Sequence, residues 1–279
     1  MNLYELLMRR RSVRVFKDQK IPESMIEQLI DVANNAPSGG NIQPVSIILV
    51  RNAEGRKKLA ELAGGQPWVK NAPLSMIFCL DFYRIKKWAE MCQTDFRGEE
   101  ALNHFLIAYA DLMVAAQNVA LLAEDIGLGT VYVGSIQNEI DETRNFFEIP
   151  KYVLPMMVLS IGFPKSIPST IPKLKKEFIL HHEKYLIPKE DEVQRAFDEK
   201  YGAMDQNIEK YLGKAFVEAL EADKQETPTY LERVKKEMKR FDIRNNAQFL
   251  FTIRYPTKVM VGMNQRIKQS FKNAGFEIF

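Results

Sequence analysis

From about Ala101 to Ile126 the chain is apolar nearly all the way round a helix, and this one stretch limits the folds open to it. Such a helix belongs at the centre of a large domain or in a bilayer. Its longest apolar run, Phe105 to Ala123, is broken by Asp111, Gln117 and Asn118, which argues against a membrane span. The chain therefore has to wrap a core around it, with Met113, Ala115, Ala116 and Ala120 as core or dimer packing. With 279 residues, 46% of them hydrophobic, it has the material for one large domain, or a domain with an appendage, without staples.

Other bulk features narrow the function. Cys79 in an apolar run and Cys92 in a polar one fit neither a disulfide framework nor a metal site. Met1-Asn2-Leu3-Tyr4 lacks a signal peptide's apolar core, so the expected location is cytoplasmic. A net charge of +3, with no basic stripe interleaved with aromatics, points away from nucleic acid. A small anionic ligand is enough to explain the local basic clusters.

Short runs of branched residues mark buried strands at Val45 to Val50, Leu74 to Leu80 and Met156 to Ile161, with a short one at Val131 to Ser135. Helical spacing is seen in Leu3, Leu6 and Leu7. After Ile21-Pro22-Glu23 it returns in Met25, Ile26, Leu29, Ile30 and Ala33, and Glu54 to Ala63 reads as a surface helix. Residues 81–104 mix Tyr83, Trp88, Phe96 and many charges without a clean period and are expected to form a mobile cap over a site. Charged helices are expected over 190–222, 230–241 and 265–274.

Several segments carry possible chemistry. The helix-to-strand loop Pro37-Ser38-Gly39-Gly40-Asn41-Ile42-Gln43-Pro44 is built of small and amide-bearing residues, and suits either a plain turn or close approach to a ligand. Arg9, Arg10, Arg11, Ser12 and Arg14 form either a solvated helix end or a phosphate grip, since guanidinium forks and a hydroxyl match phosphate oxygens. Gln66, between glycines and a proline, is a solvated amide or a partner for a heterocycle edge. Gly127-Leu128-Gly129-Thr130 is no dinucleotide fingerprint, because its glycines follow a helix and lead into a strand. His181 and His182 are adjacent and point apart on any regular element, which disfavours a metal site.

Taken together, these segments resemble the FMN-dependent nitroreductase family, in particular its NAD(P)H-flavin oxidoreductase and oxygen-insensitive nitroreductase branch. The resemblance covers roughly residues 2–185. The family's Arg-Arg-Ser-x-Arg start is matched by Arg10, Arg11, Ser12 and Arg14, and its small-polar loop by Pro37, Ser38, Gly39, Gly40, Asn41 and Gln43. Its flavin-facing glutamine is matched by Gln66. Its Gly-Leu-Gly-x-x-Tyr-Ile-Gly-Gly segment is matched by Gly127 to Ser135, which includes Val133 and Gly134 and has Ser135 in place of the last glycine. The Lys-Pro-Arg clamp is similar to Ile171-Pro172-Lys173, with one charge and one fork lost, ahead of His181, Glu183 and Tyr185.

The resemblance implies an α+β fold, with a mixed sheet surrounded by helices, in an obligate homodimer. Residues 1–185 would form the FMN-binding domain and 186–279 a helical C-terminal extension, either a dimer wrap or a site cover. It also implies FMN held by the residues named above and reduced by NAD(P)H. A nitroaromatic, quinone or flavin acceptor would follow in a ping-pong cycle, and Arg14 would lie beside the flavin N1 and O2 edge. The chemistry would sit on the flavin, without a catalytic side chain or a metal, and the loop at 37–43 would complete the partner's site. Reductive dehalogenation or dehydrogenation by a family relative, or flavin binding without turnover, remain as alternative functions.

Overall fold

The computed structural model describes residues 2–168, 172–204, 217, 219–220 and 227–279. Helix α1 (Leu3–Arg9) begins with a reciprocal cap in which Asn2 Oδ1 accepts from the Glu5 N–H and the Glu5 carboxylate accepts from Asn2. Then come α2 (Glu23–Asn34), β1 (Val45–Val50), α3 (Ala53–Leu62), α4 (Pro67–Asn71), β2 (Leu74–Asp81), α5 (Tyr83–Met91), α6 (Leu102–Asp125), β3 (Gly129–Val133), α7 (Ile140–Phe146) and β4 (Val153–Gly162).

The strands form one sheet in the order β1-β2-β4-β3 with every neighbour antiparallel. The parallel component of the expected mixed sheet comes from an isolated bridge, Ser12 to Thr130, beside β3. Every residue of β2 and β4 is buried, so the two central strands are covered on both faces and read as continuous apolar runs. Leu74, Met76, Phe78 and Leu80 share a core with Leu112, Ala116 and Ala120 of α6 and Leu29 of α2. Helix α6 is long and apolar enough to cross a membrane by length and composition alone. Its inner face, Phe105, Ala108, Leu112, Ala115 and Val119, is buried in this core, while Leu102, Leu106, Ile107 and Val114 are exposed.

Residues 81–104 are not an irregular cap. Helix α5 fills much of the segment, begun by a hydrogen bond from the Arg84 N–H to Asp81 Oδ1 and anchored by buried Ile85 and Ala89. Phe82 and Phe96 meet edge to face at 5.4 Å, and the Lys86 ammonium pairs with the buried Glu99 carboxylate.

The backbone divides into two compact units, 1–168 with 263–279, and 169–262. The divisions after Pro168 and Gly262 differ from the single boundary expected after residue 185. The reason is packing by the last residues: Phe271, Ala274, Phe276 and Ile278 join the core of the first unit, and Tyr152 N–H donates to Ala274 O at 2.7 Å. The second unit contains helices Glu190–Tyr201 and Thr227–Arg240 and a small core of Val234, Ile243 and Phe249. Part of the charged helix expected over 190–222 lies outside the described residues.

Candidate functional site

Of the residues singled out in the sequence, those between Arg9 and Ser135 fall into two groups within the first unit. The first lies along β3. Chain hydrogen bonding at Val13 N–H to Thr130 O (2.9 Å) fastens the segment after α1 against this edge strand, and Gly129 allows it, because a Cβ there would sit 2.5 Å from Val13 Cγ2. Arg10, Arg11, Ser12 and Arg14 are all half-buried around this junction. Arg10 Nη1 is buried with no hydrogen-bond partner among the described residues, which is costly for a charged donor. A cavity of about 280 Å³ opens alongside, lined by Arg9, Arg11, Val13, Glu124, Gly129 and Pro164.

Burial raises the Glu124 carboxyl above its ordinary range, and Arg10, Arg11 and Arg9 pull it back down. Burial likewise pushes the Tyr132 hydroxyl up to about 12, opposed by Arg10, while that hydroxyl donates to Gln117 Oε1 at 3.1 Å. Arg10 and Arg11 both face the half-buried Glu124 carboxylate. Arg10's fork and the Ser12 hydroxyl suit a phosphate dianion, which would satisfy the orphaned Nη1.

The same group continues toward the amide expected to face a heterocycle. The Arg14 guanidinium lies 5.3 Å from the centre of the Trp68 ring, and Trp68 is in α4, whose N-cap is Gln66. Gln66 Nε2 donates to Ala63 O (3.0 Å) and Ser135 Oγ (2.9 Å), and the Ser135 hydroxyl donates to Ala63 O at 2.6 Å. The serine in place of a glycine is thus a brace for Gln66, whose Oε1 accepts from no described residue. Gly134 is exposed at the end of β3, whereas Val133 is 2% exposed, so its side chain belongs to the core and only its backbone can meet a ligand.

The second group is the loop before β1, from Pro37 to Gln43. Its Gly39 N–H donates to both Asp111 oxygens (3.1 and 3.0 Å), and its Gln43 N–H donates to Ser38 Oγ at 3.2 Å. Asn41 and Gln43 have left-handed backbone at φ 55° and 54°, which asparagine tolerates and which costs glutamine about 1–2 kcal/mol. A cavity of about 300 Å³ is lined by Asp31, Asn34, Pro37, Ser38, Gln43 and Asp111.

The two groups do not meet within the chain. Val45 pairs with Leu80, which pairs with Leu154, whereas Thr130 pairs with Ile161. At a strand rise of ~3.4 Å and a strand spacing of ~4.8 Å, these positions lie roughly 24 Å apart along β4 and about 14 Å across the sheet. Lys173 is exposed and belongs to the second unit, and Ile171 beside it lies outside the described residues. Among the described residues no cluster of His, Cys, Asp and Glu suits a metal ion, and Cys79 and Cys92 are both free thiols. One pair of residues with a bearing on the loop, Asp81 and Arg84, was not singled out in the sequence. Their only local signal is the acid three residues ahead of the arginine.

Comparison with known proteins gives this geometry a context. A family model described as the nitroreductase family matches residues 7–163. A Bacillus subtilis protein named FMN reductase (NAD(P)H) is 35% identical over 206 residues, covering 73% of this chain and 80% of its own. Among solved structures, NfrA2 of B. megaterium is 26% identical with a TM-score of 0.73 and covers 100% of both chains. The NADPH:FMN oxidoreductase from Vibrio harveyi, complexed with NAD+, is 27% identical with a TM-score of 0.66, covering 80% of this chain and 97% of that one.

Proposed function

The chain belongs to the nitroreductase family, and from that premise we propose that it is an FMN-dependent oxidoreductase that takes electrons from NAD(P)H and passes them to a small acceptor. Nitroaromatics, quinones and free flavin are the acceptor classes. Bound FMN supplies the hydride chemistry at its N5, so the protein's tasks are to bind, orient and set the potential. The relative named FMN reductase and the NADPH:FMN oxidoreductase of similar fold support both the cofactor and the donor.

The observation that carries the reading is the buried Arg10 Nη1 without a partner among the described residues, next to Arg11 and Ser12. These three residues hold the cofactor phosphate. Gln66, fixed by Ser135 and Ala63, presents Oε1 to the flavin edge, and Arg14, set against Trp68, contributes a positive charge. Val133, Gly134 and Ser135 form the floor at the end of β3. Donor and acceptor would bind in turn, in a ping-pong cycle.

Two half-sites at opposite corners of one sheet support a homodimer in which Pro37, Ser38, Gly39, Asn41 and Gln43 complete the partner's FMN site. The exposed Leu102, Leu106, Ile107 and Val114 of α6 give such a dimer an apolar surface to cover. Of the expected extension 186–279, the part outside the first unit's core, residues 186–262, serves as a dimer wrap or site cover, and the free thiols fit a cytoplasmic protein. The test is the visible spectrum of the purified protein and its anaerobic bleaching by NADH and NADPH. Yellow protein bleached by either donor and recoloured by a quinone is the expected result. Colourless protein that FMN does not reconstitute overturns the assignment, and yellow protein that neither donor bleaches makes it a flavin binder without turnover.

A further inference from the structure

The loop from Pro37 to Gln43 turns through left-handed backbone that suits Gly40 and Asn41 but not Gln43. Gly40, Asn41 and Gln43 all have positive φ, at 59°, 55° and 54°, and only the first is a glycine. Conformations of this kind persist where the surroundings over-determine them. Within the loop's own neighbourhood, Ser38 Oγ accepts from the Gln43 N–H, and Gln43 Nε2 donates to Asn34 O at 2.9 Å. The tie to the sheet comes from the first turn of α5. Arg84 Nη2 donates to Gln43 O (2.8 Å) and Val45 O (3.1 Å), so one guanidinium nitrogen clasps the carbonyls on either side of Pro44.

Arg84 is itself held in place. Its Nη1 donates to Asp81 Oδ2 and to Ser46 Oγ, each at 3.3 Å, and the Ser46 hydroxyl donates to the same Asp81 oxygen. Asp81 Oδ1 accepts from the Arg84 N–H at 3.2 Å, and the Asp81 N–H donates to Pro44 O at 2.9 Å. The Asp81 residue is 6% exposed, and the Arg84 guanidinium lies 5.7 Å from the centre of the Trp88 ring. A buried carboxylate with both oxygens engaged thus aims a planar fork at the base of the loop, a geometry that a single ammonium cannot reproduce.

We propose that Arg84, aimed by Asp81, is a positioning residue that presets the loop at 37–43 for the FMN of the partner subunit. This rests on the reading of that loop as part of a shared cofactor site. Preordering removes a cost that cofactor binding would otherwise carry, so loosening the clasp weakens FMN without removing any group that touches it.

The test uses full-length Arg84→Lys and Asp81→Asn proteins, with Asn41→Asp as a variant of the loop itself. Amide exchange over 37–45 and the FMN Kd by fluorescence are the readouts. Arg84→Lys is expected to speed exchange over 37–45 at least fivefold while β2 is unchanged, and to raise the FMN Kd at least tenfold. Asp81→Asn should follow it, and Asn41→Asp should raise the Kd at least as much. If Asn41→Asp weakens FMN while Arg84→Lys leaves its Kd within twofold of wild type, Arg84 is a structural tie only and the proposal is overturned, whatever the exchange rates. If neither variant moves the Kd, the reading of the loop fails, and the proposal fails with it.

Discussion

The Ser135 hydroxyl sits between Gln66 and Ala63, accepting from the Gln66 amide at 2.9 Å and donating to the Ala63 carbonyl at 2.6 Å. At sequence level this serine looks like an obstruction, because the family pattern it resembles has glycine there. In the structure it fastens the turn after α3, through Gly64 at φ 81°, to the end of β3.

Ser135→Gly should therefore destabilise the protein rather than relieve it. Two hydrogen bonds at about 0.5–1.5 kcal/mol each, with about 0.5–1 kcal/mol for added backbone freedom, give a loss of about 1.5–4 kcal/mol. Urea denaturation of the flavin-free protein measures it. A variant as stable as the wild type would show that the brace contributes nothing.

Arg14→Ala should lower the flavin midpoint potential, since the reading puts this charge beside the N1 and O2 edge, where negative charge gathers on reduction. A hydrogen bond to a charged group contributes about 1.5–3 kcal/mol, only part of it specific to the reduced state. At ~30 mV per 1.4 kcal/mol for two electrons, the expected drop is roughly 20–60 mV. Its guanidinium lies over the Trp68 ring, so it is not a solvated surface charge. A redox titration with FMN still bound and the midpoint unmoved would mean that Arg14 does not face the flavin.

Tyr132 gives a pH dependence whose sign is fixed. Its folded pKa of about 12 lies above the unfolded value of about 10, so the native state keeps the proton longer. Stability relative to Tyr132→Phe is then level below pH 10 and falls as pH rises from about 10 to about 12. Partial exposure screens the effect and keeps it to about 1–2 kcal/mol. Parallel denaturation curves for the two proteins across that range check it, and curves that stay parallel would contradict the buried hydroxyl.

Sharing of the site predicts complementation between damaged subunits. An Arg11→Ala chain lacks part of the phosphate grip, and an Asn41→Asp chain has an altered loop. After mixing and subunit exchange, the heterodimer carries one intact site and one doubly altered one. FMN bound should rise above that of either parent alone. A mixture that binds only the average of its parents would place each site within one chain.

The sequence made the central layers legible because their residues report burial directly: β2 and β4 are apolar throughout, and α6 is apolar almost all round. Helix α5 escaped because its buried face is short, only Ile85 and Ala89, set among lysines and exposed aromatics. The C-terminal helix, Asn264–Asn273, reads as charged and peripheral. Its contribution comes from Phe271 and from Phe276 beyond its end, which pack against Phe105 and Phe82, residues far away in the chain. Of the candidate site, the arginine cluster and the loop were visible as residue types. The clasp of Arg84 on Gln43 was not, because nothing local in either segment specifies the other.

The phosphate grip is the centre of this account, and one measurement tests it most directly: the FMN Kd and the flavin-free stability of Arg10→Ala, determined together. The wild-type protein buries a charged Nη1 with no partner among the described residues, a cost that a bound anion would offset. The variant should bind FMN about 10- to 100-fold more weakly, in line with the loss of one charge-assisted contact of about 1.5–3 kcal/mol, while its flavin-free form is at least as stable as the wild type. An FMN Kd within twofold of wild type, or a flavin-free protein that loses stability while keeping its FMN, would contradict the grip.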